Sequence, residues 1–246
     1  MSDAVAARRA LDDLLETDAP DLRATLPPGF ADAVQRYVEL LLAANSLVNL
    51  TRIVKPVEVA RLHLLDALSA LPLLDALSPR RALDLGSGGG VPGIVLALAR
   101  PDISWTLVDS VGRKADVMRG FVEALGLRDV AVVAERAEIL GRDARYRAQF
   151  DLVAARACAP LPVLVEYALP LIRVGGALVT WKGAVPPDEL ISGQAAALEL
   201  GGGELEVRGA EIAALGDHSF VIVAKLRPTP DRYPRRPGEP GRRPLG

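Results

Sequence analysis

The spacing of apolar side chains predicts helices in the first third of the chain. Residues 3–17 and 30–44 are amphipathic, with apolar residues recurring at the interval that places them on one helical face. A third helix is expected over residues 55–74, beginning near Pro56 and closed around Pro72, because proline favours a first helical turn and interrupts a helix interior. The chain is therefore expected to open with a helical extension.

From residue 81 onward, short β-rich runs alternate with helical runs. The predicted strands cover residues 81–85, 104–109, 130–134, 150–155, 176–181, 203–212 and 218–226. The predicted helices cover residues 92–100, 112–125 and 161–170. Such alternation is typical of βαβ units in a parallel sheet covered on both faces. No helical pattern separates the last two strands, so we expect an α/β fold with a mostly parallel, doubly wound sheet that ends in an antiparallel hairpin.

Charge is uneven along the chain. Its 246 residues carry a formal net charge of −2, yet residues 226–246 hold six arginines against two acids. Proline and glycine are frequent there, so we expect no helix or sheet in this segment. A basic extended arm is either a nucleic-acid contact or a solubilising disordered end. We divide the chain into a helical extension (1–78), an α/β domain (79–227) and a basic tail (228–246).

Composition excludes several classes of protein. One cysteine excludes an internal disulfide and a cysteine-based zinc site, and two histidines leave few ligands for any metal, so no metal is expected. Acids interrupt the first residues, unlike in a signal peptide, and no apolar run approaches the roughly 18 residues of a membrane span. We expect a cytoplasmic protein, a monomer, with no membrane partner.

A glycine-rich loop follows the first predicted strand. Gly88, Gly90 and Gly93 have the spacing of dinucleotide-binding loops, and Asp84 stands two residues before Gly86. A carboxylate so close to the loop would repel a pyrophosphate, because like charges repel at short range. It suits a cofactor whose nearby end carries an ammonium group, such as S-adenosylmethionine.

The next two strands end in residues that suit a nucleoside. Asp109 lies 19 residues after Gly90, where an acid accepts hydrogen bonds from ribose hydroxyls. Backbone groups of Ala137 and Glu138 could hold adenine. The alternative is that Asp84 and Asp109 cap the helices that follow them. An NAD(P)-dependent oxidoreductase and a non-enzymatic cofactor-binding module remain open as other functions.

The chain resembles the RsmG (GidB) family, bacterial methyltransferases that modify guanine N7 in 16S ribosomal RNA. The resemblance rests on the following stretches: VNLT (48–51), RLHLLDALS (61–69), LDLGSGGGVPG (83–93), LVDSVGRK (107–114), RAE (136–138), ARACAPL (155–161), GGALVTWKG (175–183) and YPRRPGEPGRRPLG (233–246). It implies a class I, Rossmann-like methyltransferase fold of seven strands. The partner implied is 16S rRNA or an assembly intermediate of the small ribosomal subunit.

The resemblance also implies roles for particular residues. The positions that would bind S-adenosylmethionine are Gly86, Val91, Asp109, Ala137, Glu138 and Arg156, to which the glycine spacing adds Gly88. The charge of the tail and the place of Lys182 after the fifth strand, independently of the resemblance, lead us to expect RNA contacts at Lys182, Arg235, Arg236, Arg242 and Arg243.

The chemistry needs no general base, and we assign no catalytic residue. The turn after the fourth strand reads ARACAP, which disfavours methylation of an exocyclic amine, whereas the in-plane lone pair of guanine N7 is already available. Alternatives stay open at four positions. Arg156 could form a structural ion pair, Lys182 could meet a site carboxylate, and His63 is expected to be a hydrogen-bonded core residue. Cys158 is either a packing residue or the nucleophile of a pyrimidine-C5 methyltransferase.

Overall fold

The computed structural model describes residues 2–246, and its first third is helical, as the apolar spacing predicts. The first three helices are α1 (Asp3–Thr17), α2 (Pro20–Thr25) and α3 (Phe30–Asn45). The predicted third helix is α4 (Pro56–Val59), a π-helical turn over Ala60–Leu65, and α5 (Asp66–Leu68). The prediction that Pro72 closes this helix is wrong. Pro72 stands in the first turn of a separate helix, α6 (Leu71–Leu77), where its missing N–H leaves no helical hydrogen bond unmade.

One mixed sheet forms the centre of the protein. Its strands are β1 (Arg81–Leu85), β2 (Ser104–Asp109), β3 (Val130–Ala134), β4 (Phe150–Arg156), β5 (Ile172–Lys182), β6 (Gly202–Gly209) and β7 (Ser219–Lys225). Seven strands lie in the order β3-β2-β1-β4-β5-β7-β6. The first five pair in parallel, and β7 pairs antiparallel with both β5 and β6. The predicted α/β sheet with a terminal antiparallel hairpin is therefore confirmed.

Helices cover both faces of the sheet. They are α7 (Gly93–Ala99), α8 (Gly112–Ala124), α9 (Ala137–Leu140), α10 (Leu161–Ala168) and α11 (Pro187–Glu199). One apolar cluster joins the N-terminal helices to one face of the sheet, through side chains such as Leu11, Leu68 and Leu107. A second cluster lies against the other face and includes Leu83 and Leu169.

The helical extension is attached directly to the glycine loop. Tyr37 on α3 is fully buried, and its hydroxyl donates a 2.8 Å hydrogen bond to the carbonyl oxygen of Gly89. A Cβ atom at Gly89 would lie 2.9 Å from a methyl carbon of Leu41, so the loop and α3 are in close contact. The N-terminal helices thereby fix one side of the loop.

The basic tail is folded, which contradicts the expectation of an extended arm without regular structure. A short helix, α12 (Glu239–Arg242), forms within it, and Tyr233 is buried. The guanidinium of Arg235 forms a bidentate pair with the fully buried carboxylate of Glu166, in which Nε donates to Oε1 at 2.9 Å and Nη2 donates to Oε2. A buried acid of this kind needs a charged partner, and the tail supplies it.

Among residues 2–246, no helix is long and apolar enough to cross a bilayer. In the same part of the chain, no group of three or more His, Cys, Asp or Glu side chains is arranged to hold a metal ion. The division into three parts at residues 78 and 228 stays a prediction.

Candidate active site

A first cavity lies at the carboxyl ends of the parallel strands, where the strand order reverses between β1 and β4. Its volume is about 190 Å³. The predicted site residues that line it are Gly86, Ala137 and Glu138, together with Ser110 and Cys158. The ends of β1, β2 and β3 and the turn after β4 thus form one concave site.

The glycine loop needs glycine at several of its positions. Gly86 and Gly88 have left-handed backbones, with φ of +74° and +58°. A Cβ at Gly86 would lie 2.9 Å from Sγ of Cys158, and a Cβ at Gly93 would lie 2.6 Å from Oδ2 of Asp84. The loop is therefore pressed against both the first strand and the turn after β4. Its glycines allow the backbone to approach the cavity.

Asp84 does not face the cavity. Its carboxylate is fully buried beneath the loop, where Oδ2 accepts a hydrogen bond of 2.9 Å from Gly93 N and another from the Ser87 hydroxyl. Burial raises the pKa of Asp84 to about 6. Asp84 thus caps the first turn of α7, as one of the two alternatives predicts, while its Oδ1 is buried without a hydrogen-bond partner among residues 2–246, and a role toward the cofactor ammonium group stays a prediction.

Asp109 braces the loop from the second strand. Its Oδ2 accepts a 3.0 Å hydrogen bond from Gly88 N, and its Oδ1 accepts one of 2.8 Å from Val111 N at the start of α8. Gly88 and Val91 lie in the loop without lining the first cavity. A contact of Asp109 with ribose, and contacts of Gly88 and Val91 with the cofactor, stay predictions.

The electrostatics of the first cavity favour a cation. Burial, followed by the negative charges of nearby carboxylates such as Asp84 and Asp109, raises the pKa of the Cys158 thiol to about 11, against a smaller opposing effect of Lys182. The residue is exposed as a whole, but its sulfur lies against Gly86. Arg136, which also lines this cavity, offsets the charge of Glu138, whereas the charges of Asp84 and Asp109 disfavour a thiolate or a pyrophosphate near the sulfur and favour a sulfonium ion. The residues present fit S-adenosylmethionine.

A second cavity of about 620 Å³ adjoins the first. Arg156 and Ala157 line the second cavity, whereas the next residue, Cys158, lines the first. The two cavities are therefore neighbours at the end of β4. Ala157 has a left-handed backbone with φ of +51°, which is costly for a residue with a Cβ.

Arg156 belongs to the second cavity and is held by the N-terminal helices. Its Nη1 donates to Leu62 O at 2.6 Å and to Asp66 Oδ2 at 3.0 Å, and its Nη2 donates to His63 Nδ1 at 3.1 Å. Arg156 therefore forms the structural ion pair that the sequence left open as an alternative. Its Nε–H and second Nη2–H have no hydrogen-bond partner among residues 2–246. A contact of Arg156 with the cofactor stays a prediction.

His63 is buried and hydrogen-bonded, as the sequence predicts, but it also lines the second cavity. Arg156 can only donate, so Nδ1 of His63 accepts, and its Nε2–H donates to Thr51 Oγ1 at 2.8 Å. Burial, followed by the charge of Arg156, lowers the pKa of His63 to about 4. His63 is therefore a neutral acceptor at neutral pH.

Asp66 and His218 are site residues that the sequence did not single out for this role. The carboxylate of Asp66 is buried and lies 2.9 Å from His218 Nδ1, while its backbone oxygen accepts a 2.7 Å hydrogen bond from Trp181 Nε1. The signal in the sequence was weak: Asp66 lies in the stretch RLHLLDALS (61–69), and His218 is one of only two histidines in the chain.

The predicted RNA contacts divide into two groups. Lys182 lies 2.8 Å from the Glu189 carboxylate, and Arg235 is paired with Glu166. The remaining three are exposed and form no ion pair among the described residues: Arg236, Arg242 and Arg243. Contact of any of these five residues with RNA stays a prediction.

Solved structures share the fold at low sequence identity. The apo form of SibL, an S-adenosylmethionine-dependent methyltransferase, is 18% identical and gives a TM-score of 0.54 over 90% of this chain and 74% of that one. An O-methyltransferase from Bacillus cereus, solved in complex with SAH, is 19% identical and gives a TM-score of 0.51 over 77% of this chain and 90% of that one.

Sequence relatives are much closer. The profile of the family described as "rRNA small subunit methyltransferase G" matches residues 31–214. A protein of that name from Roseiflexus castenholzii is 44% identical over 85% of this chain and 89% of its own length. Another from Deinococcus deserti is 42% identical over 95% of this chain and 96% of its own length.

The sheet order, the glycine-loop cavity and these matches define a methyltransferase of the class I fold, whose cofactor is S-adenosyl-L-methionine. The chain belongs to the rRNA small subunit methyltransferase G family, as its sequence motifs indicate.

Proposed function

We propose that this protein transfers the methyl group of S-adenosylmethionine to N7 of a guanine in 16S ribosomal RNA. The observation that carries the proposal is the pair of adjoining cavities at the end of β4. The first has the glycine loop and the acids that suit a sulfonium cofactor, and the second is large enough for a purine. Transfer would occur where Ala157 and Cys158 separate them.

The protein's task in this reaction is to orient the base. The N7 lone pair of guanine lies in the plane of the ring and carries no proton, so the enzyme has to remove none. The second cavity would hold N7 in line with the methyl group, and proximity and orientation can supply much of the rate enhancement. The cofactor, when bound, supplies the electrophilic methyl group. Arg156 cannot donate to N7 during the attack, but its two free N–H groups are suited to guanine O6.

His218 offers a means of selecting guanine. The Asp66 carboxylate accepts, so Nδ1 of His218 carries the proton, and in the neutral ring the lone pair lies on Nε2. Guanine presents N1–H and N2–H donors that such a lone pair accepts, whereas adenine N1 is itself an acceptor. Trp181 forms an apolar wall of the same cavity.

The exposed arginines of the tail are suited to the RNA backbone. Arg236, Arg242 and Arg243 are free cations on a folded segment, and phosphate contacts of this kind position an RNA without reading its sequence. The substrate is either naked 16S rRNA or a partly assembled small subunit. We propose the cytoplasm as the compartment, since ribosomal RNA is the substrate.

A methyl-transfer assay tests the proposal. Labelled S-adenosylmethionine is incubated with the protein and with small-subunit rRNA from a bacterium that lacks this protein. The rRNA is supplied both as naked RNA and as small-subunit particles. We expect incorporation into one of the two forms and none into rRNA from the parent strain, whose site is already methylated. A thermal-shift comparison should show stabilisation by S-adenosylhomocysteine and none by NADH. Stabilisation by NADH alone, without methyl transfer, would favour an oxidoreductase.

A further inference from the structure

The C-terminal segment (residues 226–246), which includes the basic tail, packs against α9, the helix that borders the first cavity. Pro234 lies so close to the end of α9 that a Cβ at Gly141 would be 2.8 Å from its Cγ. Arg147 bridges the two, donating from Nη1 to Gly141 O at 2.7 Å and to Tyr233 O at 2.8 Å. The segment is thus fixed at the carboxyl end of α9.

The same segment also contacts the beginning of α9, at a residue that lines the first cavity. The backbone N–H of Gly238 donates a 2.8 Å hydrogen bond to Oε1 of Glu138. The same oxygen accepts a 2.8 Å hydrogen bond from Arg136 Nη2. Only 2% of the Glu138 side chain is exposed, so without Gly238 a largely buried carboxylate oxygen would lose one of its two donors.

The segment is anchored firmly enough to act as part of the site. Arg235 forms an ion pair with the buried Glu166 of α10, and the hydroxyl of Tyr233 donates a hydrogen bond to Glu199 of α11. Gly238 has a left-handed backbone, with φ of +80°, which aims its N–H at Glu138. Its position therefore follows from the two anchors that precede it.

We propose that the C-terminal segment is a positioning element of the cofactor site, which holds residues 135–138 in the shape that the cofactor binds through the hydrogen bond from Gly238 to Glu138. The proposal rests on the proposed function only in placing the cofactor in the first cavity. Loss of the segment would weaken cofactor binding in the absence of any RNA. It differs from a role in RNA contact, which would leave cofactor affinity unchanged.

Calorimetric titration with S-adenosylhomocysteine tests the proposal. A chain truncated after Pro237 lacks the Gly238 donor but keeps both anchors, and we expect about tenfold weaker affinity, the size of one lost charge-assisted hydrogen bond. A chain lacking only residues 245–246 keeps Gly238 and should bind as the full chain does. Equal affinity of a folded chain truncated after Pro237 and the full chain would overturn the proposal.

A point variant decides the matter if that truncated chain does not fold. A Cβ at Gly238 meets only Arg242, at an ordinary 3.6 Å, so Gly238→Ala strains the backbone without a clash. Gly126→Ala is the matched control, because Gly126 is also left-handed, with φ of +64°, has open space around it and lies between α8 and β3, outside the lining of the first cavity. We expect several-fold weaker binding in Gly238→Ala alone, and equal affinities in the two variants would overturn the proposal. Failure of the full chain to bind S-adenosylhomocysteine would instead refute the proposed function.

Discussion

Arg156 and Asp66 form an ion pair, with 3.0 Å between Nη1 and Oδ2, that joins the end of β4 to the helices of the N-terminal extension. An arginine at the carboxyl end of a strand can form a structural ion pair or bind a ligand, and this pair allows Arg156 to do both. It fixes the guanidinium against the extension, and it leaves two N–H groups for a ligand in the second cavity. The extension is therefore part of the site.

Replacing Asp66 by Asn should destabilise the protein by about 2–3 kcal/mol, since it leaves a largely buried Arg156 without a counterion and changes the partner of His218. Asp102→Asn is the control, because Asp102 forms an exposed pair with Arg100 and should contribute at most about 0.5 kcal/mol. Urea unfolding monitored by circular dichroism measures both. Similar small losses in the two variants would show that the Asp66 pair is not a structural connection.

Gly93→Ala should destabilise the protein by about 1–3 kcal/mol through overpacking. A Cβ there would lie 2.4 Å from Leu107 Cδ2 and 2.6 Å from Asp84 Oδ2. Gly112→Ala, at the start of α8, adds a methyl group where nothing lies within 4 Å, and it should be neutral or slightly stabilising. Thermal unfolding of the two variants gives the comparison. An unchanged melting temperature for Gly93→Ala would contradict the close packing of the loop on Asp84.

His63 should make stability depend on pH. Its pKa is lowered from 6.5 to about 4 in the folded protein, so the unfolded chain takes up a proton first as the pH falls. The contribution of neutral His63 to the free energy of unfolding is complete above pH 6.5 and is lost as the pH falls from 6.5 to about 4. Between about pH 7 and pH 5 the protein should lose roughly 2 kcal/mol more stability than a His63→Gln variant. Urea unfolding at both pH values tests this, and parallel losses would show that His63 is not the titrating group.

The exposed arginines of the tail should contribute to RNA affinity in proportion to their number. Replacing Arg236, Arg242 and Arg243 by Gln should weaken binding and reduce the slope of log K against log salt by about 0.7 for each lost phosphate contact. Arg128→Gln, an exposed charge before β3, is the control and should leave the slope unchanged. Filter binding across a salt series measures it. A slope that does not change in the triple variant would exclude these side chains as phosphate contacts.

The sequence predicted the sheet and the glycine loop because their signals are local. Alternating runs mark βαβ units, and glycines after a strand mark a close approach of the backbone. The same local signals led to a wrong prediction at Pro72, because a proline is compatible with either the end of one helix or the start of the next. It also treated the tail as an unpaired arm, because the acid that Arg235 meets, Glu166, lies 69 residues away.

The second cavity could not be assembled from the sequence for the same reason. Asp66 and His218 are 152 residues apart, and Arg156 and His63 are 93 residues apart. Nothing in the spacing of these residues indicates that the fold brings them together. Asp84 shows a different limit of sequence-based prediction. A helix-capping role and a cofactor-binding role both predict an aspartate at this position, and only the direction of its carboxylate distinguishes them.

The identity of the methylated base is the most direct test of methyl transfer to guanine N7. The protein and a Cys158→Ala variant are each incubated with labelled S-adenosylmethionine and small-subunit rRNA that lacks the modification, and the product is mapped by mild reduction and aniline cleavage, which detect N7-methylguanosine. Because the pKa of Cys158 is raised to about 11, its thiol is a poor nucleophile, and both proteins should give one labelled N7-methylguanosine at similar rates. A methylated pyrimidine in the product, with no transfer by a folded Cys158→Ala variant, would contradict transfer to guanine N7 and show covalent catalysis at pyrimidine C5.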